Sequence, residues 1–182
     1  MHTTPSPSTI AHKAREIQCL ICDVDGVLSD GYLYLTEDGK LFKNFHVHDG
    51  MGLKLLMHAG IEVAVITGCQ SPIVDLRMQQ LGIKHYYKGQ MSKRTAYQHL
   101  KETLTLTDQQ FAYIGDDLPD LEVMKQVGLS IAVSNAVSEV RAHADWVTEK
   151  SGGQGAVREV CDLILQVHNK TEVALERYLN PG

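Results

Sequence analysis

The chain contains no apolar run that approaches the roughly 20 residues of a membrane-spanning helix. Its first nine residues, MHTTPSPST, also lack the basic and apolar regions of a signal peptide. We therefore predict a disordered tail over residues 1–14 and a cytoplasmic location, with no membrane partner.

An excess of basic charge is absent as well. The net charge is -5 at pH 7 and the pI is near 6.0. A surplus of acid argues against nucleic acid or an anionic membrane as the main partner. A small anionic substrate stays possible if a local cation or metal ion receives it.

Cysteine is scarce, and its four copies do not form a recognisable metal site. Cys19 and Cys22 have the C-x-x-C spacing of zinc and redox sites, but no second such pair or histidine pair completes it. Residues three apart in a strand also face opposite sides. We interpret all four cysteines as reduced thiols.

What the sequence does contain is an alternation of short apolar runs and helical segments. Its 182 residues and 43% hydrophobic content fit one soluble domain, which we place at residues 15–182. Strand, crossover helix and strand in repetition predict an α/β Rossmann-like three-layer sandwich with a mainly parallel sheet. The predicted strands are 17–24, 61–68, 83–89, 111–117, 129–135 and 145–149. The predicted helices are 50–60, 71–82, 92–105, 118–128, 136–143 and one from about 156 towards the end.

One segment, residues 32–47, departs from this alternation. Two β-rich runs flank Asp38-Gly39, which is a strong hairpin signal. The segment is more apolar than a lone hairpin in water should be, and such hairpins are marginally stable at best. We predict a protruding β-hairpin that packs on another subunit.

Acidic residues gather where the predicted strands end. Asp23, Asp25 and Gly26 follow the first strand, Thr67 and Gly68 the second, and Lys93 opens a later helix. Three more acids follow the fourth strand: Asp116, Asp117 and Asp120. Ligands of parallel sheets bind at this edge. A cluster of carboxylates without paired His or Cys is typical of a Mg²⁺ site, and such a site receives phosphate.

Each of these motifs alone also has a structural explanation, as a turn acid, a solvated lysine or a helix cap. Their joint order favours phosphoryl transfer. A carboxylate can attack phosphorus, and a second acid can move the proton. Asp23 and Asp25 are two apart on an extended chain, so both can address one phosphoryl group. A hydroxyl and a lysine can hold its oxygens.

D-x-D-G at 23–26, Thr67, Lys93 and G-D-D-x-x-D at 115–120 resemble the four motifs of the haloacid dehalogenase superfamily of phosphatases. The resemblance implies that Asp23 is the nucleophile and Asp25 the general acid/base. It implies that Thr67 and Lys93 bind the phosphoryl group. Mg²⁺ would be held by Asp23, Asp116 and the backbone carbonyl of Asp25, with support from Asp117, Asp120, Gly26 and Gly68.

The hairpin, "FHVHDGMGLKLL", "GQMSK" and "GGQGAVREVCDLIL" resemble one family of this superfamily, which has no cap domain. It dephosphorylates an eight-carbon sugar-acid 8-phosphate in lipopolysaccharide precursor synthesis. The resemblance implies a homotetramer in which a neighbour helps close each site. Cys69 stands where many members have Arg, so we consider Cys69 and Arg77 as contacts of the sugar acid. Weaker candidates are Lys54, His46, His48 and Arg158.

Two other functions remain open from the sequence. A phosphatase of a nine-carbon ulosonate 9-phosphate would share every catalytic motif, and related enzymes of that kind often have Glu where Cys69 stands. A receiver-like signalling module also combines acids, Thr and Lys at strand ends. Receiver domains generally lack a second acid two residues after the nucleophile, where this chain has Asp25.

Overall fold

The computed structural model describes residues 7–180, and its centre is a six-stranded parallel sheet. The strands are β1 Cys19–Cys22, β4 Glu62–Ile66, β5 His85–Tyr87, β6 Phe111–Gly115, β7 Leu129–Ala132 and β8 Trp146–Val147, in the order β5-β4-β1-β6-β7-β8. Central strand β1 pairs with β4 and β6, so that Cys22 lies opposite Val65 and Ile114. The first, second and fourth predicted strands therefore end side by side.

The helices are α1 Pro7–Glu16, α2 Val47–His58, α3 Pro72–Leu81, α4 Lys93–Leu104, α5 Leu121–Met124, α6 Ser138–His143, α7 Ala156–Val167 and α8 Thr171–Leu179. Short 3-10 turns cover Asp108–Gln110 and Leu118–Asp120. Helix α2 packs on α7 and α8, while α5 packs on α4 and α6. The sheet flanked by helices confirms the predicted α/β sandwich. No helix in the part of the chain described here is long and apolar enough to cross a membrane.

The core lies between the sheet and its helices. All four residues of β1 and all five of β6 are buried, as is usual for a parallel sheet covered on both faces. Cys19 and Cys22 are free thiols within this core. Burial raises the pKa of both thiols. They behave as small apolar residues, as predicted.

The structure corrects two predictions near the chain ends. Residues 7–14 belong to α1, and Ala14 is fully buried, so the predicted disordered tail is wrong there; residues 1–6 lie outside the described part. The final helix is also not continuous. Asn169 adopts a left-handed φ of 55°, which ends α7 and begins a new direction for α8.

The predicted hairpin is present with shorter strands, β2 Tyr34–Leu35 and β3 Leu41–Phe42. Its turn closes through a hydrogen bond from Thr36 N to Lys40 O of 2.9 Å, and Gly39 has a φ of 76°. The apolar side chains remain exposed, with Tyr32 71%, Leu33 72% and Leu35 68% accessible. In this single chain nothing covers that surface among the described residues.

Candidate active site

The loop after β1 places Asp23 and Asp25 at the carboxyl edge of the sheet. Asp23 is buried and its N–H donates to Ile114 O at 3.2 Å, which extends the pairing with β6. The loop then turns because Leu28 N and Ser29 N both donate to Val24 O, at 3.0 and 2.9 Å. The turn brings Asp25 back to the same cavity as Asp23.

Gly26 permits this turn and leaves room for another acid. Its φ of +86° lies in the left-handed region. A Cβ at this position would also collide with the Asp116 carboxylate. The glycine of the D-x-D-G motif thus allows the loops after β1 and β6 to approach each other.

Lys93 joins the acids of the two loops from the first turn of α4. Its ammonium lies 2.8 Å from Asp23 Oδ1 and 2.6 Å from Asp120 Oδ1. A hydrogen bond of 3.1 Å goes to the hydroxyl of Tyr113. The ammonium thus links Asp23, Asp120 and Tyr113 in a buried network.

Asp120 anchors this network rather than offering itself to a ligand. Its Oδ1 accepts from Lys93 and from the Tyr113 hydroxyl at 2.7 Å. Its Oδ2 accepts from the N–H groups of Asp116 and Asp117 at 2.8 and 3.1 Å. These four bonds match the four lone-pair sites of a carboxylate. Asp120 therefore supports the site by holding Lys93 and the loop after β6.

The acids that keep capacity for a ligand are Asp116 and, beyond its ion pair with Lys93, Asp23. Burial, together with the charges of Asp23 and Asp120, raises the pKa of Asp116 to about 8. Burial also raises the pKa of Asp23 to about 7, against the opposing effect of Lys93. Asp116 Oδ1 is buried without a hydrogen-bond partner. A carboxylate oxygen left in this state fits a hard cation.

The positions of the carboxylate oxygens also fit a bound metal ion. Oxygens of Asp23, Asp116 and Asp120 lie within 4.8 Å of one another. Since the lone pairs of Asp120 are occupied, Asp23 and Asp116 are the side chains with capacity to bind the ion. This pair, with the carbonyl of Asp25, is the metal set predicted from the sequence, and its occupancy by Mg²⁺ remains a proposal for this chain.

Loops after β4 and β5 form the opposite wall of the site. Thr67 is buried, and its hydroxyl accepts from Cys69 N at 3.0 Å. A cavity of about 360 Å³ is lined by all the predicted strand-end residues except Gly26. Its lining is Asp23, Asp25, Gly31, Thr67, Gly68, Cys69, Gln90, Met91, Lys93, Asp116, Asp117, Pro119 and Asp120.

Asp117 has a local structural task. Its carboxylate accepts from Leu118 N at 2.8 Å and so caps the 3-10 turn Leu118–Asp120. The capped turn delivers Asp120 to Lys93. Asp117 therefore supports the site indirectly, by shaping the turn Leu118–Asp120.

The structure does not bring every predicted residue into the cavity. Arg77 lies apart, with its guanidinium 5.7 Å from the centre of the Phe45 ring, in a small pocket beside Gly50. Arg158 pairs with Asp162 at 2.7 Å, and Lys54 lines a separate surface groove. Of the sugar-acid candidates, Cys69 alone lines the active-site cavity. Within one chain Arg77 does not line this cavity, and its contact with the sugar acid stays a prediction.

Two residues of the site were not predicted from the sequence. Lys43 follows β3; its ammonium forms an ion pair with Asp25 Oδ1, and its side chain is only 4% exposed. Tyr113 places its buried hydroxyl between Lys93 and Asp120. Position in a strand could have identified Tyr113, since it lies two residues before Gly115. No sequence pattern points from the hairpin to Asp25.

A glycine loop near the chain end closes over the Asp23 loop. Gly153 N donates to Val27 O at 2.8 Å, and a Cβ on Gly152 would collide with the backbone of Gly26. The helix that follows is fixed by Asp49, whose carboxylate accepts from Arg158 N at 2.7 Å. Two segments that are far apart in the sequence, around Gly26 and around Gly153, thus meet at the nucleophile loop.

This arrangement of acids, threonine and lysine around a parallel sheet is that of a haloacid dehalogenase-type phosphatase. Residues 83–160 match the family described as haloacid dehalogenase-like hydrolase. A hydrolase of haloacid dehalogenase subfamily III A from Legionella pneumophila has 64% identity and a TM-score of 0.93, with 94% of each chain covered.

Relatives within this superfamily identify a narrower family. 3-Deoxy-D-manno-octulosonate 8-phosphate phosphatase KdsC of Yersinia pestis is 48% identical over 170 residues, which cover 93% of this chain and 91% of the relative. The chain belongs to the family of 3-deoxy-D-manno-octulosonate 8-phosphate phosphatases, and it is a phosphoric monoester hydrolase.

A solved structure of this family shows what one member binds. The Moraxella catarrhalis phosphatase was determined with a magnesium ion, a phosphate ion and a KDO (3-deoxy-D-manno-octulosonate) molecule. It is 43% identical, with a TM-score of 0.90 and coverage of 95% of this chain and 99% of that one. The predicted magnesium cofactor is thereby confirmed at the level of the family.

Proposed function

We propose that this chain hydrolyses 3-deoxy-D-manno-octulosonate 8-phosphate to the free sugar acid and inorganic phosphate, in lipopolysaccharide precursor synthesis. The observation that carries the proposal is the buried Asp23 carboxylate held 2.8 Å from Lys93, with Asp25 in the same cavity. The names and ligands of the relatives support the choice of substrate. Four free cysteines are compatible with a reducing cytoplasm, which is our proposed location.

In the first chemical step, a carboxylate oxygen of Asp23 attacks phosphorus and the bond from phosphorus to the sugar oxygen breaks. Asp25 donates a proton to that leaving oxygen. The products of this step are an aspartyl phosphate on Asp23 and the free sugar acid. In the second step, Asp25 takes a proton from water, the water attacks phosphorus, and Asp23 is released with inorganic phosphate.

Other residues of the cavity stabilise the charge that develops on the phosphoryl oxygens. Lys93 is oriented by Asp120 and Tyr113, and Thr67 faces it across the cavity. Preoriented donors of this kind act strongly in a site with little water. Mg²⁺, held by Asp23, Asp116 and the backbone carbonyl of Asp25, would supply further positive charge to these oxygens.

The sugar end of the substrate meets a neutral wall in this chain. Cys69, Gln90 and Met91 line the cavity beyond Thr67, and Met91 is 89% exposed. Burial raises the pKa of the Cys69 thiol, so its side chain is uncharged. A cation for the sugar-acid carboxylate therefore has to come from elsewhere, and Arg77 of a neighbouring subunit is our proposed source.

A residue from a neighbouring subunit requires an assembly, and we propose the homotetramer that the family resemblance implies. Leu33, Leu35 and Phe42 expose 72%, 68% and 52% of their surface, more than a lone subunit should leave in water. We expect Leu35→Asp combined with Phe42→Asp to dissociate the assembly in analytical ultracentrifugation. Activity should fall with dissociation. Lys40→Met, on the same hairpin, is the matched control; a tetramer that survives the double substitution contradicts the proposal.

The substrate is tested with a panel of phosphorylated sugar acids, with and without Mg²⁺. We expect the eight-carbon 8-phosphate to have the highest kcat/KM and chelation to stop phosphate release. Asp23→Asn should retain the fold and lose turnover. A nine-carbon ulosonate 9-phosphate as the best substrate would overturn the specific assignment, because Cys69 does not by charge favour either sugar.

A further inference from the structure

The side chain of Lys43 is buried although the hairpin that carries it is exposed. Its side chain is 4% exposed, whereas Lys40 of the same hairpin is 80% exposed. Burying an ammonium is costly unless a partner and hydrogen bonds compensate it. The partner here is Asp25, which lies at the edge of the active-site cavity and is itself 42% exposed.

The contact of Lys43 is specific to one oxygen of Asp25. Oδ1 receives the ammonium of Lys43, and the Ser29 hydroxyl, which lies 3.3 Å from Val24 O, is 3.4 Å from the same oxygen. The Cys69 thiol lies close by, since both Lys43 and Asp25 affect its pKa. Because Oδ1 is occupied from the hairpin side, Oδ2 is the oxygen through which Asp25 can exchange a proton.

We propose that Lys43 is the positioning residue of Asp25, which fixes its carboxylate so that Oδ2 faces the leaving oxygen of the substrate. The inference rests on the proposed phosphatase function and deepens it. In the step concerned, the O–H bond on Asp25 Oδ2 breaks and the proton bonds to the sugar oxygen, as that oxygen leaves phosphorus. Lys43 exchanges no proton and does not touch the substrate.

The alternative role for Lys43 is direct binding of an anionic group of the substrate. Its burial argues against this role, and it is absent from the residues that line the cavity. The two roles predict different kinetics. A binding residue changes KM for the sugar acid, while a residue that acts through Asp25 changes the dependence of kcat/KM on the leaving group.

The test compares two leaving groups in Lys43→Met. An alkoxide needs a proton as it leaves, whereas 4-nitrophenolate does not, and general acid catalysis contributes about 100-fold or more. We expect kcat/KM for the best sugar-acid phosphate of the panel to fall roughly 30-fold, and that for 4-nitrophenyl phosphate less than about 3-fold. Lys43→Arg should restore part of the difference. Lys40→Met should leave both values unchanged.

A double-mutant cycle shows whether Lys43 acts through Asp25. In an Asp25→Asn background, Lys43→Met should cause no further loss. Equal losses for both leaving groups, additive losses in the cycle, or a change confined to KM would each overturn the assignment while leaving the phosphatase function standing. A wild-type protein inactive on both kinds of phosphate would overturn both.

Discussion

Asp116→Asn should stabilise the metal-free protein while it removes catalysis. The pKa of Asp116 rises from the ordinary 3.8 to about 8 because of burial and the neighbouring charges of Asp23 and Asp120. Between these values the folded protein holds a proton that the unfolded chain has released. The free energy of unfolding therefore falls as pH rises from about 4 to about 8. Asn is neutral and escapes this penalty.

The magnitude follows from the pKa difference. Each pH unit in this window costs about 1.4 kcal/mol, which sets an upper limit of roughly 6 kcal/mol above pH 8 and about 2 kcal/mol at pH 5. Partial contact of the carboxylate with water screens the charge and lowers both limits. We expect Asp116→Asn to raise the free energy of unfolding by about 2 to 3 kcal/mol at pH 8 and by under about 1 kcal/mol at pH 5.

Urea unfolding followed by circular dichroism, with a chelator present, measures both values. Mg²⁺ should then raise the urea midpoint of the wild type and leave that of Asp116→Asn unchanged, since ligands stabilise the state that binds them. Asp117→Asn is the matched control, because Asn caps a helical turn as well as Asp and Asp117 acts as a cap. A variant less stable than the wild type at pH 8, or equally stabilised at both pH values, would refute the reasoning.

Two further substitutions test the network and the glycine turn. Asp120→Asn leaves the buried Lys93 with Asp23 as its remaining carboxylate, and urea unfolding should show a loss of about 3 kcal/mol; an unchanged stability would contradict the anchoring role. Gly26→Ala forces Asp116 to move, so calorimetric titration should find Mg²⁺ bound at least roughly tenfold more weakly. Gly39→Ala, where a Cβ meets open space at a similar φ, should cost about 1 kcal/mol of stability and leave Mg²⁺ affinity intact; equal affinities in the two variants would refute the steric argument.

The strand-end residues were predictable because their positions follow from local pattern and topology alone. An apolar run fixes where each strand ends, and a parallel sheet brings those ends together. Asp23, Thr67 and Asp116 therefore converge whatever the details of packing. The position of Lys93 followed in the same way, from the helix that begins with it.

The positions of the Lys43 and Arg77 side chains could not be predicted from the sequence. The path of the hairpin back to Asp25 depends on tertiary packing of residues 26–47, for which no periodicity exists. Arg77 lies on a helix that was predicted well, but the face on which it lies packs towards Phe45 and Gly50. A helix position can be predicted within a residue or two, while the direction of one long side chain cannot.

The errors at the chain ends have a related cause. The segment that became α1 begins with Pro and Ser, which are common in loops, yet tertiary contact at Ala14 makes it helical. The break at Asn169 depends on a single residue in a left-handed conformation, which Asn tolerates better than most residues. Neither signal is strong enough to outweigh the surrounding helical pattern.

The hydrogen bond from Gly153 N to Val27 O has a consequence for synthesis on the ribosome: we expect the catalytic loop to be completed late. A nascent chain that has reached residue 150 already contains Asp23, Lys93 and Asp116, but it lacks the segment that packs on the backbone around Gly26. Contacts so distant in sequence form late in folding. We therefore expect the enzyme to gain activity only when translation is almost complete, and fragments that stop before residue 150 to remain inactive.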